Sequence, residues 1–396
     1  MDPRIYLAID NCFAIKRWTE PKEWMRVIND LGLKYIECVT DIDNEPLLME
    51  PNYRQQWVDE VQNLQAKTGN KVIMMYSNNS TYDTTGLAHP NPDVRNHIIN
   101  TWFDNFMDMA TGINADIGYF VHGIPEKILF DKDAYAKAYE NATNSIIEIN
   151  KRASHKGIGK VAIEQMYTPH QPPFTIQAMK DLMLHVYAES NKELYFTEDV
   201  GHHCDKYMRP TNEELNNAFR RFKKDGYIEV WLGSKTAIDL FVNSDSTHDG
   251  SLSDYTLSKI NENMSNNNTM FTLYEDIDCY SWLEEIGCYS PVVHLQQTNG
   301  THSSHKPFTP QYNDTGIIHP VRILEAIKKS YDKPKESGMF AKVNDIYLTF
   351  ELYASTKDIG YQVLYDMQLS VDYFRQYIPT DGMYLSEILV HCMSKI

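Results

Sequence analysis

Eight short β-branched or aromatic runs alternate along this chain with longer segments of helical period, and that alternation is the tightest constraint on its fold. The runs are Ile5 to Ile9, Tyr35 to Cys38, Val72 to Tyr76, Ile117 to His122, Lys160 to Glu164, Leu194 to Asp199, Val292 to Leu295 and Ile346 to Glu351. Helical patterns fall between them over Pro21 to Leu31, Tyr53 to Thr68, Asp93 to Thr111, Ala134 to Ser154, Ile176 to Ser190 and Pro320 to Tyr331. Repeated βα units give a parallel sheet, and eight of them give a (β/α)8 barrel. In the first unit Thr19 can cap the helix, Pro21 suits its first turn, and Gly32 can adopt the left-handed conformation that ends it.

One interval is irregular: about 90 residues separate the sixth and seventh runs, where a standard unit needs roughly 30 to 40. The chain therefore reads as one barrel domain over 1–396, with an insertion at about 204–275 and a C-terminal helical extension at about 356–396. Within the insertion Asn212 to Lys224 has helical period, Tyr227 to Leu232 resembles a strand, and a polar stretch after it, ending in Ser265, Asn266, Asn267 and Asn268, reads as loop. A helix is expected over Gly360 to Tyr377. An insertion after a barrel strand lies on the catalytic face and can serve as a lid or a partner surface.

Hydrophobic residues at 42% supply ample core, and the net charge of −17 would repel a phosphate backbone, which argues against nucleic acid as a partner. The start MDPRIYLAIDNCF has no basic stretch followed by an apolar one, and no long uncharged apolar run occurs, so a cytoplasmic protein without a membrane span is expected. The six cysteines, without CxxC spacing, read as reduced packing thiols.

In a parallel barrel the residue at the C-terminal end of a strand faces the active-site mouth. Four runs end there in metal-competent side chains: Glu164 in VAIEQ, Asp199 in YFTEDVGHH, His294 in PVVHLQQ and Glu351 in LTFELY. Burying unpaired carboxylates is costly, and no Lys or Arg ends a strand in the later half of the chain. A cation is the simpler compensator. Three carboxylates and one imidazole make a hard site suited to Mn²⁺, Mg²⁺ or Co²⁺, with one Mn²⁺ the favoured choice. Glu37, ending the second strand, and His122, ending the fourth, are candidates to bind substrate; His302 and His305 read as loop residues. Phe13, Trp18, Tyr76 and Tyr167 could stack on a sugar ring.

The set AIEQMYTPHQPP, TEDVGHH, VVHLQQ and TFELY resembles the xylose isomerase-like barrel superfamily, which includes ketose 3-epimerases, sugar isomerases and a DNA-repair endonuclease branch. The resemblance implies that Glu164, Asp199, His294 and Glu351 bind the metal and that Glu164 and Glu351 also exchange protons with a sugar. It implies a substrate-binding role for His202, in the D-x-x-H pattern begun by Asp199. Six residues after the strand-five Glu the epimerases carry a second Glu; here that position is His170, which becomes the candidate general base or acid.

The chemistry expected of such a site is proton abstraction beside a carbonyl, with the metal stabilising an enediolate. Isomerisation and epimerisation both follow from it. The loop after strand eight, LYASTKDIG, lacks phosphate-binding glycine-rich character, which favours an unphosphorylated carbohydrate. His170 keeps a lyase alternative open: the superfamily's C-glycoside deglycosidases act on 3-oxo-glycosides and pair with a small β subunit. A homo-oligomer, or a hetero-oligomer with such a subunit, is accordingly expected. The endonuclease branch needs a basic groove that the charge of −17 disfavours.

Overall fold

Parallel pairing closes eight strands into a barrel in the computed structural model, which describes residues 1–40, 42, 44–77, 86–121 and 123–394. The strands are β1 (Arg4–Asp10), β2 (Tyr35–Val39), β3 (Lys71–Tyr76), β4 (Asp116–Tyr119), β5 (Val161–Glu164), β6 (Tyr195–Asp199), β7 (Val292–Leu295) and β8 (Asp345–Phe350). Each pairs with the next, and β1 joins β8 on one side and β2 on the other, so no barrel edge is left open. A ninth strand, β9 (Met383–Tyr384), lies antiparallel on the N-terminal end of β1. The protein is a (β/α)8 barrel, as the alternation of runs implies.

Side-chain parity along the strands separates core from site. Leu7, Ile9, Val293, Leu295, Leu348 and Phe350 belong to the core between barrel and helices and are at most 1% exposed. Each such burial contributes about 1.5–3 kcal/mol. The alternate residues point into the barrel. Tyr6, Tyr35 and Tyr347 pack together near its N-terminal end, with ring centroids 4.9 to 5.3 Å apart, and the polar residues Glu164, Asp199, His294 and Glu351 come at the other end. A one-residue slip of any strand would exchange these two sets, so burial of the apolar set fixes the register that presents the polar one.

Four local expectations need correction. The polar stretch expected as loop up to Asn268 carries the helices Lys235–Val242 and Asp254–Asn266, whose buried Phe241, Leu257, Ile260 and Met264 recur at helical spacing. The first helix (Pro21–Asp30) is capped by Glu20 instead of Thr19, because Pro21 opens the helix and the N-cap is the residue before it; the Glu20 N–H donates to Glu23 Oε2 at 3.2 Å. The stretch expected as one helix over Asp93 to Thr111 contains a π-helical segment, Ile98–Phe103, between α-helical Pro92–His97 and Asp104–Gly112. Its wider turn buries both Trp102 and Phe103. Tyr227 to Leu232 forms no strand. Its apolar residues pack on helices instead: Leu232 is buried, and Trp231 lies against Phe130 and Tyr207 while its Nε1 donates to the Met270 carbonyl at 2.8 Å.

Between β6 and β7 the chain carries helices Asn212–Asp225, Lys235–Val242, Asp254–Asn266 and Cys279–Ile286. After β8 come Gly360–Arg375 and Leu385–Met393. Among the described residues no helix is long and apolar enough to cross a membrane.

Candidate active site

Glu164, Asp199, His294 and Glu351 reach the barrel mouth from β5, β6, β7 and the residue after β8, and each offers a ligand atom within 4.8 Å of the others. All four are buried, at most 8% exposed. His294 Nδ1 lies 3.3 Å from Glu164 Oε1 and 3.5 Å from Glu351 Oε2, while Glu351 Oε2 is buried without a hydrogen-bond partner. Three anionic groups this close, one with an orphaned oxygen, fit a hard divalent cation. Among the described residues, those lining the cavity above them, of about 220 Å³, include no Lys or Arg to neutralise them.

Glu37 is drawn into this centre by a hydrogen bond. Its Oε1 lies 2.9 Å from His294 Nε2, with both residues 1% exposed. That contact fixes which face of the imidazole is turned toward the carboxylates: Nε2 is committed to Glu37, so Nδ1 is the nitrogen left for a cation. Carboxylate–histidine–metal arrays of this kind orient the ring and raise its basicity. Glu37→Gln is therefore expected to weaken Mn²⁺ binding about 10- to 100-fold, measured by titration against a competing chelator, with the fold unchanged by circular dichroism.

Asp199 is held by the turn that follows β6. Gly201 N donates to its Oδ1 at 2.7 Å, Gln296 Nε2 lies 2.9 and 3.0 Å from its two oxygens, and His202 Nε2 is 3.1 Å from Oδ2. A second group of ligand-type residues, Asp199, His202 and His305, overlaps this one. A carboxylate offers about four acceptor positions, and these four contacts occupy them, so a cation at Asp199 would share an oxygen with one of these donors. His202 lines the cavity beside Tyr167, ring centroids 4.8 Å apart, and its Nδ1 faces the Gln165 carbonyl at 3.1 Å.

His305, read from sequence as a loop residue, also lines the cavity. Its Nδ1 lies 3.4 Å from Glu351 Oε2 and its ring meets Tyr353 edge-on at 4.3 Å. Burial alone would lower the His305 imidazole and raise the Glu351 carboxyl, but each outweighs that for the other. His305 is pushed up to about 9, and Glu351, facing His294 as well, is held down to about 2. Burial likewise opposes a charge on His294, but Glu37, Glu351 and Glu164 together raise it well above the ordinary imidazole range. In the protein alone, protons on the imidazoles offset the carboxylate charge; a cation coordinating Nδ1 would displace the His294 proton.

His170 is placed otherwise than its sequence role requires. Its Nδ1 is 2.8 Å from the Ile124 carbonyl, and Ile124 N donates back to the His170 carbonyl at 2.9 Å, a clasp that fastens the loop. Gln171 lines the cavity; His170 does not. Tyr76 and Tyr167 line it, whereas Phe13 is 1% exposed in the core and Trp18 packs against Phe13, with centroids 6.0 Å apart. His302 Nδ1 is engaged with Thr301 Oγ1 at 2.9 Å. His122 lies outside the described residues.

Behind β6, Glu198 faces away from the barrel axis toward His203, with Oε1 to Nε2 at 3.4 Å. Burial pushes the Glu198 carboxyl well up and the His203 imidazole down to about 4. For His203 the depressed value means stability that is present above the ordinary 6.5 and lost as pH falls through about 4. The loss is on the order of 3 kcal/mol. Urea unfolding at pH 7 and 4.5 should show a smaller acid loss in His203→Gln than in the wild type.

A closed (β/α)8 barrel with four ligand-type residues converging from its fifth to eighth strands defines a barrel protein with a candidate divalent-cation centre. The fold is that of the xylose isomerase-like barrels. Solved structures similar to it include a protein of Rhodospirillum rubrum provisionally described as a xylose isomerase (TM-score 0.66, 16% identity, 94% of this chain and 98% of that one). They also include D-psicose 3-epimerase from Clostridium cellulolyticum H10 (TM-score 0.52, 13% identity, 93% and 98%). An L-ribulose 3-epimerase has TM-score 0.53 at 10% identity over 99% and 96%. At these identities the likeness establishes the fold. Among curated proteins, D-erythrulose 1-phosphate 3-epimerase of Brucella abortus (strain 2308) is 35% identical over 52 residues, 13% of this chain and 17% of that relative's length. No protein-family profile matches the chain.

Proposed function

We propose that this protein is a divalent-cation-dependent sugar isomerase or epimerase acting on an unphosphorylated carbohydrate. The observation that carries the reading is the buried set Glu164, Asp199, His294 and Glu351 at one end of a barrel whose solved neighbours include sugar 3-epimerases. Glu164, Asp199, His294 and Glu351 would hold the ion, Mn²⁺ being the favoured one. When bound it supplies Lewis-acid polarisation of a carbonyl and its neighbouring hydroxyl.

The chain's own groups then move the proton. Glu164 and Glu351 both approach His294 Nδ1, at 3.3 and 3.5 Å, and both line the cavity. One carboxylate takes the proton from the carbon beside the carbonyl. The C–H electron pair forms the carbon–carbon double bond of an enediolate as the carbonyl electrons move to oxygen. The other carboxyl group, which must enter the step protonated, gives its proton to the opposite face of that carbon, inverting it, and the pair ends with the proton on the first carboxyl. Delivery to the neighbouring carbon gives isomerisation instead. His202 and His305, which also line the cavity, are placed to meet sugar hydroxyls.

Absence of phosphate from the substrate is supported by charge. No Lys or Arg lines the cavity among the described residues. A sugar phosphate would place its dianion near three carboxylates without a counterion. The elimination alternative drew on His170 as a base; its Nδ1 is engaged by the Ile124 carbonyl, and it is not among the residues lining the cavity.

The test is deuterium incorporation, followed by NMR, from D₂O into a panel of ketoses and their 1-phosphates with Mn²⁺ present. Label is expected at the carbon beside the carbonyl of an unphosphorylated ketose, and EDTA is expected to abolish it. Label in 1-phosphates alone would refute the unphosphorylated substrate. Aglycone release from a 3-oxo-C-glycoside without ketose labelling would favour the lyase.

A further inference from the structure

Gln296 joins two parts of the site that the sequence keeps separate. It is fully buried just beyond β7. On one side its Nε2 donates to Asp199 Oδ1 and Oδ2 at 2.9 and 3.0 Å. On the other its Oε1 accepts from Ser304 N at 2.8 Å and His305 N at 2.6 Å, with Ser303 Oγ at 3.2 Å. The orientation of the amide is determined by its partners, since an ionised carboxylate can only accept and a backbone N–H can only donate.

Room for this side chain depends on Gly201, where a Cβ would stand 2.2 Å from Gln296 Cδ. The bonds to Oε1 also hold His305 at φ 45°, a left-handed conformation that a residue with a Cβ adopts only when its surroundings enforce it. Ser303 and His305, placed by these bonds, line the cavity, and His305 lies 3.4 Å from Glu351. The connection thus runs from one candidate ligand, Asp199, through Gln296 and His305 to another, Glu351.

We propose that Gln296 is a positioning residue that makes cation binding and the ordering of residues 303–305 against the sugar cavity a single event. The inference rests on the cation centre proposed above. A bound cation fixes the Asp199 carboxylate in the orientation that accepts from Nε2, and the fixed amide presents Oε1 to the two loop amides. Without the cation Asp199 keeps the contacts of its own turn but loses one constraint on its orientation, so the loop amides have a less rigid acceptor. The cation then shapes one wall of the substrate cavity as well as the reacting end.

Hydrogen–deuterium exchange of the Ser304 and His305 amides tests this, comparing EDTA-stripped wild type with and without Mn²⁺ while free Mn²⁺ is followed by electron paramagnetic resonance. Mn²⁺ is expected to slow both amides at least about tenfold, by tightening a hydrogen-bonded segment that otherwise opens locally. In Gln296→Met, which removes donor and acceptor, the slowing should disappear and the Mn²⁺ Kd should rise about 10- to 100-fold. Gln296→Glu keeps an acceptor for the loop but sets a carboxylate against Asp199, so it should weaken Mn²⁺ more than the Met variant does. Mn²⁺ binding to wild type with no change at 304 and 305 would overturn the coupling and leave the cation centre standing. Slowing that persists in Gln296→Met would overturn the role of Gln296. No Mn²⁺ binding by wild type would sink the centre and the coupling together. The wild-type comparison needs no variant, so misfolding of a variant cannot block the test.

Discussion

Replacing Glu351 by glutamine is expected to cut turnover by about 10⁴-fold, the upper end of what a positioned acid–base group contributes. The loss is placed at that end because the substitution strikes three interactions at once. It removes an anionic candidate ligand from the set with Glu164, Asp199 and His294, a carboxylate proposed to exchange protons, and the ion-pair partner of His305 at 3.4 Å. The amide is nearly isosteric, so the barrel should remain folded and the loss should appear in kcat together with weaker Mn²⁺ binding. Steady-state kinetics on the responsive ketose, with a chelator-competition titration of the same preparation, measure both. Activity within tenfold of wild type would remove Glu351 from the mechanism.

Trp282→Ala should produce the largest loss of stability, about 3–5 kcal/mol. Trp282 is fully buried in the helix Cys279–Ile286, its ring lies 6.2 Å from that of Phe196 on β6, and its Nε1 donates to the Asp276 carbonyl at 2.9 Å. Asp276 in turn accepts from the N–H of Ile176, the first residue of helix Ile176–Ser190. The indole therefore fastens the long β6–β7 connection to the strand that presents Asp199, and its loss leaves a cavity and an unpaired carbonyl together. Urea denaturation read by fluorescence and by circular dichroism should give a lower midpoint by both probes. A change below about 1 kcal/mol would show that the connection is anchored elsewhere.

The barrel and its four strand-end ligand candidates were legible in the sequence for the same reason. In a strand buried on both faces, a carboxylate or imidazole at the C-terminal end is conspicuous against its apolar neighbours, and period-two parity tells which way it points. Contacts across the barrel were not legible. Glu37 and His294 meet at 2.9 Å from opposite sides of the sheet order, β2 and β7, and nothing local in YIECV or VVHL announces the pairing. Sequence therefore offered Glu37 as a hydroxyl binder, whereas the structure shows its Oε1 against His294.

His305 and Gln296 were obscured differently. His305 enters the site through a left-handed loop residue fixed by a glutamine nine positions earlier, a geometry with no periodic signature. A signal was present in the pair Gln296-Gln297: two consecutive buried amides need partners, and Gln297 finds its own in Asn313, Thr298 and Ile318. The false strand at Tyr227 to Leu232 shows the converse failure, where a short apolar run served packing against helices without any neighbouring strand.

The most direct measurement is the Mn²⁺ stoichiometry and affinity of EDTA-stripped protein, wild type beside His294→Ala. One ion per chain should bind to the wild type, and the His294 variant should lose it, because His294 is the sole imidazole in the four-residue set and faces Glu164 and Glu351 through Nδ1. Failure of the wild type to bind, or equal binding by His294→Ala, would contradict a cation centre formed by these residues.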